Sequence, residues 1–306
     1  MLRMDADSLT RRFRKVLGYE PNLQDPKTLQ EKILWRKLHE DMSDAVRLAD
    51  KVAVRDYVRE VAGERYLVPA AAVVDDAHAL DFESLPAAFV LKVNHSSGAV
   101  IVVRDGSKLD LAATRRTLNG LLRSRWGRRM GEHWYSSIPP RVIVERLLVD
   151  GEPDMPPCDY RFHVFHGRTE FIEVVTGKTF SIDLTGGVIA AAAGQSFVDS
   201  SRAEHTTYDR SWRPAPYRFL AASTAPDGTP RPQALDELLA VAERLAGDWG
   251  YVRVDLYCLG GDEIYFGEMT FAHGSGLFLM EPPEANEHLG SLWDIGTRYV
   301  REPGRT

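Results

Sequence analysis

One short stretch of this chain can gather two carboxylates, an arginine and a hydroxyl. Tyr251-Val-Arg-Val-Asp-Leu-Tyr257 alternates apolar and charged residues, Gly260-Gly-Asp262 follows, and Glu263-Ile-Tyr-Phe-Gly-Glu-Met-Thr270 alternates again. Successive side chains of a strand point to opposite faces. Arg253 and Asp255 therefore share a face of one strand, and Glu268 and Thr270 share a face of the next. A Gly-Gly-Asp turn permits antiparallel pairing, which puts all four on one side of a ribbon. Oxygen donors of this kind suit Mg²⁺, which takes carboxylates together with substrate phosphates. A half-exposed hairpin without a metal carries the same alternation, so the ribbon alone leaves both readings open.

Further candidates lie upstream. Lys92, inside the apolar run Phe89-Val-Leu-Lys-Val93, either snorkels at a sheet edge or faces a ligand. The loop after it, Asn94-His-Ser-Ser-Gly-Ala99, has small residues and backbone N–H groups that could hold phosphate oxygens. Such residues carry little packing, so a mobile loop is expected. It lacks the Gly-Lys-Ser/Thr ending of a Walker loop. Val142-Ile-Val-Glu145-Arg-Leu-Leu148 reads either as a core strand or as a hinge whose backbone meets an adenine edge. Asp159, Arg161, His163 and Phe165 fall on one strand face. His163 and His166 fall on opposite faces, so they are not a zinc pair. Arg115, Arg116, Arg123, Arg125, Arg128 and Arg129 make a basic helix and its exit. With a net charge of −6, a solvated helix face is the better reading, and nucleic acid is not an expected partner.

The elements that would hold these residues follow from periodicity. Helices are expected at 11–17 and 29–38, with Pro26-Lys-Thr28 as the turn feeding the second. A further helix through Val52, Val54, Tyr57 and Val58 would be opened or continued by Asp44 or Asp50 and ended by Gly63. Runs at 66–68, 89–93 and 99–103 read as strands. A basic helix spans 109 to about 126. Strands follow at 141–145, entered through Pro139-Pro140, and at 160–165 and 169–175. Residues 176–232 give no assignable order. An amphipathic helix runs through Leu235, Leu238, Leu239, Ala242 and Leu245, stopped near 247–250. The sum is an α+β chain without regular βαβ alternation. With 306 residues it is long enough for two or three lobes. Two cysteines, Cys158 and Cys258, fit a reducing compartment rather than a disulfide scaffold. The charged start and the lack of a bilayer-length apolar run make a cytoplasmic protein with no membrane partner the expectation.

Taken in order, the pieces resemble an ATP-grasp enzyme: Asp50-Lys51 at a helix start, Lys92, Ser96-Ser-Gly98, the hinge from Glu145 to Leu147, Asp159-x-Arg161, Arg253-x-Asp255 and Glu268-x-Thr270. Longer stretches are similar to the TupA-like branch, named for a protein of teichuronopeptide synthesis. They include Leu17-Gly-Tyr19, Asp25-Pro-Lys-Thr28, Glu31-Lys-Ile33, Ala49-Asp-Lys51, Pro140-Arg-Val-Ile-Val-Glu145, Val252-Arg-Val-Asp-Leu-Tyr257 and Phe266-Gly-Glu-Met-Thr-Phe271. The likeness covers nearly the whole chain except roughly 176–200.

This resemblance implies the ATP-grasp fold, two α+β lobes clamping a nucleotide. It divides the chain into a helical segment at 1–48, a lid lobe at 49–145 and a large lobe at 146–306. It implies ATP and Mg²⁺ as cofactors. Lys51 and Lys92 would contact the phosphates, with Ser96, Ser97 and Gly98 in the lid loop over them. The backbone of Arg146 and Leu147 would read adenine beside Glu145. Asp159 would hold the ribose, with Glu152 a competing candidate. Asp255 and Glu268 would bind Mg²⁺, joined by Thr270 where the family usually has asparagine. Arg253 and the N–H of Gly274 would face the reacting acyl group, with Arg161 among the catalytic residues. His273 stands where proline is expected.

The implied chemistry is acylation of an amine by a carboxylate through an acyl phosphate. Small-molecule or polymer-precursor substrates would come from cell-surface polymer or secondary-metabolite biosynthesis. Arg253 would matter to rate and little to stability. A phosphotransferase acting on a hydroxyl is an alternative on the same fold. A nucleotide-binding regulator is another, expected to lack the metal ligands. The resemblance names neither substrate nor an oligomeric state, and it leaves acceptor recognition to residues 176–232.

Overall fold

The computed structural model describes residues 6–96, 100–151, 155–181, 196–199, 203–220 and 228–295. Helices α1 (Ala6–Leu17) and α2 (Leu29–His39) stand where the periodicity puts them. Thr28 and Glu31 cap α2 reciprocally: the Glu31 N–H donates to Thr28 Oγ1 at 3.1 Å and the Thr28 N–H to Glu31 Oε2 at 3.0 Å. The helix expected through Val52 and Val58 is two helices, α3 (Ser43–Ala49) and α4 (Val54–Val61). Asp50 makes the break. Its buried carboxylate accepts from the Val52 N–H at 2.8 Å and from Asn94 Nδ2 at 2.8 Å, and pairs with Arg141 at 3.2 Å. A carboxylate bound to a nearby backbone N–H competes with helix continuation.

The strand expected at 66–68 is absent. Tyr66 ends a 3₁₀ turn, and both Tyr66 and Leu67 fill the larger core. The ladder begins instead at β1 (Ala70–Val74), followed by β2 (Phe89–Val93) and β3 (Val100–Val103). Helices α5 (Leu111–Leu122) and α6 (Trp126–Met130) intervene before β4 (Val142–Arg146). The chain then runs through β5 (Asp159–Phe165), β6 (Arg168–Thr176), β7 (Thr179–Ser181), β8 (Ser196–Asp199), β9 (Glu204–Asp209) and β10 (Arg218–Phe219). It closes with α7 (Leu235–Ala246), β11 (Tyr251–Leu259), β12 (Glu263–Thr270), β13 (Met280–Glu281) and α8 (Ala285–Ser291). Among the described residues no helix is long and apolar enough to cross a membrane.

Two antiparallel sheets dominate this α+β fold. The first has the order β1-β4-β2-β3-β8-β7 and the second β12-β11-β5-β6-β9. The stretch 176–232, opaque in the sequence, thus feeds both: β7 and β8 extend the first sheet and β9 the second. Leu91, Ile101, Val103, Val142 and Val144 bury one face of the first sheet with Leu118 of α5. Phe162, Val164, Val254 and Leu256 bury one face of the second against Leu238, Val241, Ala242 and Leu245 of α7.

The N-terminal helices fix the ribbon. Arg36 of α2, fully buried, lies 4.1 Å from the Trp293 ring centroid and donates to the carbonyls of Tyr251 (2.8 Å) and Phe271 (3.0 Å). Helix α8 docks on the turn before α2 so closely that a Cβ on Gly290 would sit 1.9 Å from the Lys27 carbonyl oxygen. Gly290→Ala must move backbone, and the expected cost is about 1–3 kcal/mol of unfolding free energy, measurable by denaturant titration.

Candidate functional site

The faces of the two sheets turned away from their cores enclose a cleft of about 450 Å³. Alternation selects its lining. Val90, Lys92, Val100 and Val102 of the first sheet form one wall with Val68, Leu147 and Leu148, a mostly apolar shelf. Asp159, Arg161, Arg253, Asp255, Tyr257 and Glu268 of the second sheet form the other, with Lys51 and Lys178 at its margin. An apolar shelf opposite a polar wall suits a flat ring carrying charged groups.

The ribbon pairs as its alternation requires: Arg253 lies opposite Thr270, and Asp255 opposite Glu268. A bulge at Gly267 makes this possible, because the next pair is Leu256 with Phe266. Without the extra residue Phe266 and Glu268 would share a face. With it, Phe266 enters the core and Glu268 faces the cleft. The bulge needs a small residue, since a Cβ on Gly267 would lie 3.1 Å from the Asp255 carbonyl oxygen.

Arg253 is the hub of the polar wall. Its Nε and Nη2 donate to Asp255 Oδ1 and Oδ2 at 2.7 and 2.6 Å, and Nη2 approaches Glu268 Oε1 at 3.4 Å. Its Nη1 donates to His273 Nδ1 at 2.7 Å, so the imidazole proton sits on Nε2. Lys51 Nζ is 3.5 Å from Glu268 Oε2 and donates to the Ser96 carbonyl at 2.8 Å. Thr270 Oγ1 donates to Glu268 Oε1 at 3.3 Å. Burial pushes the Asp255 carboxyl up, to about 6, against the pull of Arg253, and leaves it ionised at neutral pH. Burial would also raise Glu268, but Lys51, Arg253 and Arg161 hold it below the usual range. Two converging carboxylates at the mouth of a cleft fit Mg²⁺, provided Arg253 yields an oxygen.

The other expected residues fall into three groups. Lys92 faces the cleft from β2, an interior strand, so it does not snorkel at an edge. It pairs with Glu145 at 2.7 Å, and Glu145 pairs also with Arg55 at 3.1 Å. Arg146 gives its N–H to the Pro69 carbonyl at 2.9 Å, so that donor is already used, while Leu147 lines the cleft. Asp159 is held by Arg161 at 3.2 Å and Lys178 at 2.6 Å. Gly274 is not in the cleft lining. It opens a left-handed turn with Ser275 (φ 51° and 59°), which buried Lys37 clamps through the Ser275 carbonyl at 2.7 Å. Ser97, Gly98 and Glu152 lie outside the described residues.

The expectation of a loosely packed loop from residue 94 onward fails for its first half. Asn94, His95 and Ser96 are buried. Asn94 Nδ2 donates to Asp50 and to the Pro139 carbonyl (2.9 Å), its Oδ1 accepts from the Arg141 N–H at 2.6 Å, and its own N–H donates to the Arg141 carbonyl at 3.0 Å. The Asn94 amide is expected to exchange slowly in hydrogen-exchange measurements without nucleotide and to change little when nucleotide is added. Fast exchange relieved only by nucleotide would contradict this packing.

Two features escaped the sequence reading. Lys178 is buried at the cleft, 5.8 Å from the Tyr257 ring centroid. A lone lysine two residues after the long strand β6 was its only signal. Behind Arg253, His163, Glu173 and His273 present ligand atoms within 4.8 Å of one another. This cluster does not fit a cation. Arg253 donates into His273 and Arg161 into Glu173 (3.3 Å), and His205 takes the other Glu173 oxygen at 2.6 Å. Burial pushes His163 down to about 4, so it is neutral. The cluster is a buried charge network supporting Arg253 and Arg161.

Comparison with known proteins adds the family. No curated protein matches the sequence. Among solved structures, a D-alanine–D-alanine ligase from Bacillus anthracis matches over 76% of this chain and 59% of its own, at 15% identity and a TM-score of 0.42. An L-amino acid ligase from Bacillus licheniformis matches over 90% and 57%, at 11% identity and a TM-score of 0.44. The ATP-grasp ligase PsnB, in a structure with Mg and ADP, matches over 79% and 58%, at 10% identity and a TM-score of 0.35. The chain spans about three fifths of the length of these proteins. The sequence profile of the TupA-like ATP-grasp family matches residues 31–183 and 198–293, most of the molecule. The chain therefore belongs to the TupA-like ATP-grasp family.

Proposed function

We propose that the protein is an ATP- and Mg²⁺-dependent carboxylate–amine ligase acting on a small-molecule or polymer-precursor pair. The observation that carries this reading is the facing pair Asp255–Glu268 beside Arg253, set across a cleft from an apolar shelf and flanked by Lys51, Lys92 and Lys178. Asp255 and Glu268, with Thr270 adjacent, would hold the metal, which neutralises phosphate charge. Lys92 and Lys51 reach in from the first sheet and its margin toward the phosphates. Leu147 and Leu148 bound the adenine end, and Asp159 and Lys178 stand where ribose and phosphates meet.

The substrate carboxylate oxygen attacks the γ-phosphorus as the bond to ADP breaks. The amine nitrogen then attacks the acyl carbon, phosphate leaves, and nitrogen loses a proton. Arg253, freed of one carboxylate contact, faces the oxygen that becomes negative. The buried network of Glu173, His205 and His163 keeps Arg161 fixed beside it.

The test follows isotope. Protein, ATP, Mg²⁺ and a panel of amines are incubated with carboxylates labelled with ¹⁸O. The expected result is amine-dependent ADP formation with one label atom in the released phosphate. A phosphorylated hydroxyl product without label transfer would favour the phosphotransferase and overturn the ligase reading. ADP formation indifferent to every amine would overturn it too.

A further inference from the structure

The chain has two cysteines: Cys258 lies in β11, and Cys158 directly precedes β5, its neighbour in the second sheet. The β5–β11 ladder runs antiparallel from Tyr251 opposite Phe165 to Tyr257 opposite Asp159. The ladder ends there, and the same register extended by one residue would set Cys258 opposite Cys158. Directly opposed residues of an antiparallel pair have Cα atoms about 4.5–5.5 Å apart, within the range of about 4.4–6.8 Å that a disulfide spans. On that register their side chains would share a face. Tyr257 and Asp159 line the cleft, so the cysteines one step along point the other way. Cys258 is buried in the larger core, and the half-buried Cys158 packs against that core. Tyr160 and Leu256, the opposed pair on the near side, lie in the same core.

The place of this pair gives it a consequence. Cys158 is the last residue before β5, and Pro156 and Pro157 just ahead of it line the cleft. A bond between the two sulfurs would therefore tie a cleft-lining segment to β11, the strand that carries Arg253 and Asp255.

We propose that Cys158 and Cys258 form a reversible intrachain disulfide that pins the segment from Met155 to Cys158 and thereby alters nucleotide affinity. The affinity change rests on the nucleotide reading of the cleft, whereas the bond does not. With a small disulfide such as oxidised glutathione as oxidant, the Cys158 thiolate attacks one glutathione sulfur and releases a glutathione thiolate. The Cys258 sulfur then attacks Cys158 Sγ and releases the second glutathione. The two thiol protons pass to the two glutathione thiolates, the glutathione S–S bond is broken as the protein S–S bond is made, and one oxidised glutathione becomes two reduced. Burial pushes both thiols up, Cys258 to about 11, so the exchange should be slow near pH 7 and faster near pH 9.

The full chain is treated with oxidised glutathione, and free thiols are counted after denaturation. The expected result is a fall from two thiols to none, recovered by dithiothreitol, with no change in the size of the protein in solution. Peptide mapping should join the two cysteine peptides. Mg·ADP affinity, measured by calorimetry on both forms, should be about threefold or more tighter in the oxidised form, because a pinned segment loses less freedom on binding. Cys258→Ser should remove both the bond and the affinity change. Two persisting thiols, glutathione adducts without a cystine, or interchain cross-links would overturn the proposal. So would a bond formed with affinity unchanged. Reduced protein that binds no Mg·ADP would instead sink the nucleotide reading, while the thiol count still reports the bond.

Discussion

Arg253→Ala is expected to damage both stability and rate. The sequence alone suggested a residue important for catalysis and nearly free of structural duty. The structure corrects the second half. Arg253 is buried, holds Asp255 by two hydrogen bonds, approaches Glu268 and bonds His273. Its removal takes from buried Asp255 its bidentate partner and leaves Glu268 with Lys51, and breaking a buried pair in this way costs about 3–5 kcal/mol. A cation that binds the folded state should restore part of it, with about 2.7 kcal/mol recovered at a hundred times the dissociation constant. The variant should therefore gain far more thermal stability from Mg²⁺ than the wild type does. Ligation should fall by about 10²–10³ if the guanidinium meets a developing oxyanion. Arg253→Lys keeps a charge and separates the two effects. It should regain most of the stability but little of the rate, because an ammonium lacks the planar fork. The measurements are denaturant unfolding with and without Mg²⁺, and single-turnover ligation by the lysine variant. Near-normal ligation by Arg253→Lys would remove the guanidinium from the chemistry.

What the sequence disclosed and what it hid divide along a physical line. The ribbon was legible because strand alternation is a local rule, and Arg253, Asp255, Glu268 and Thr270 obey it. The bulge at Gly267 was not, although it is what lets Phe266 and Glu268 face opposite ways. A glycine in a strand marks a bulge only when its partner strand is known. The run Tyr66-Leu-Val68 has the composition of a strand, but two of its residues serve the core and Val68 serves the cleft wall. In 176–232, β7 and β8 are only three and four residues long, and β8 pairs with β3, far upstream in the chain. Asn94 looked like a loop residue because composition shows no partners, and its partners are Asp50, Pro139 and Arg141. The buried network behind Arg253 was invisible for the same reason, since His163, Glu173, His205 and His273 come from four separate stretches of the chain. Lys92 was ambiguous until β2 proved to be an interior strand. The ordered set of short motifs succeeded where single ones could not, because their order fixes the relative placement of the strands that carry them.

The pair Asp255→Asn, Glu268→Gln should abolish turnover while leaving a folded chain. Both amides are near-isosteric, and each keeps one oxygen that can accept from Arg253, but the NH₂ cannot, so one of the two Arg253–Asp255 hydrogen bonds is lost and the chain should fold with lower stability. What is lost is the negative charge that faces Arg253 and Lys51 and that would ligand Mg²⁺. Without it the wall is more strongly cationic, with Asp159 its remaining acid, and nucleotide should still be attracted, but without the metal geometry that productive transfer needs. The expected result is ADP formation down by at least about 10³, with nucleotide binding that no longer responds to Mg²⁺. The two acids should also differ in pH dependence. Asp255, raised to about 6 by burial, takes up a proton as pH falls through that value, and Mg²⁺ affinity should fall with it. Glu268, held low by its cationic neighbours, stays ionised there. Asp255→Asn alone should flatten the pH profile of Mg²⁺ binding around 6, and Glu268→Gln alone should leave its shape in place at lower affinity. Calorimetric titration of Mg²⁺ in the presence of ADP, repeated from pH 5 to 8 on each variant, reads both effects. Undiminished ADP formation by the double variant, or by the wild type in excess chelator, would show that these carboxylates hold the ribbon and nothing more.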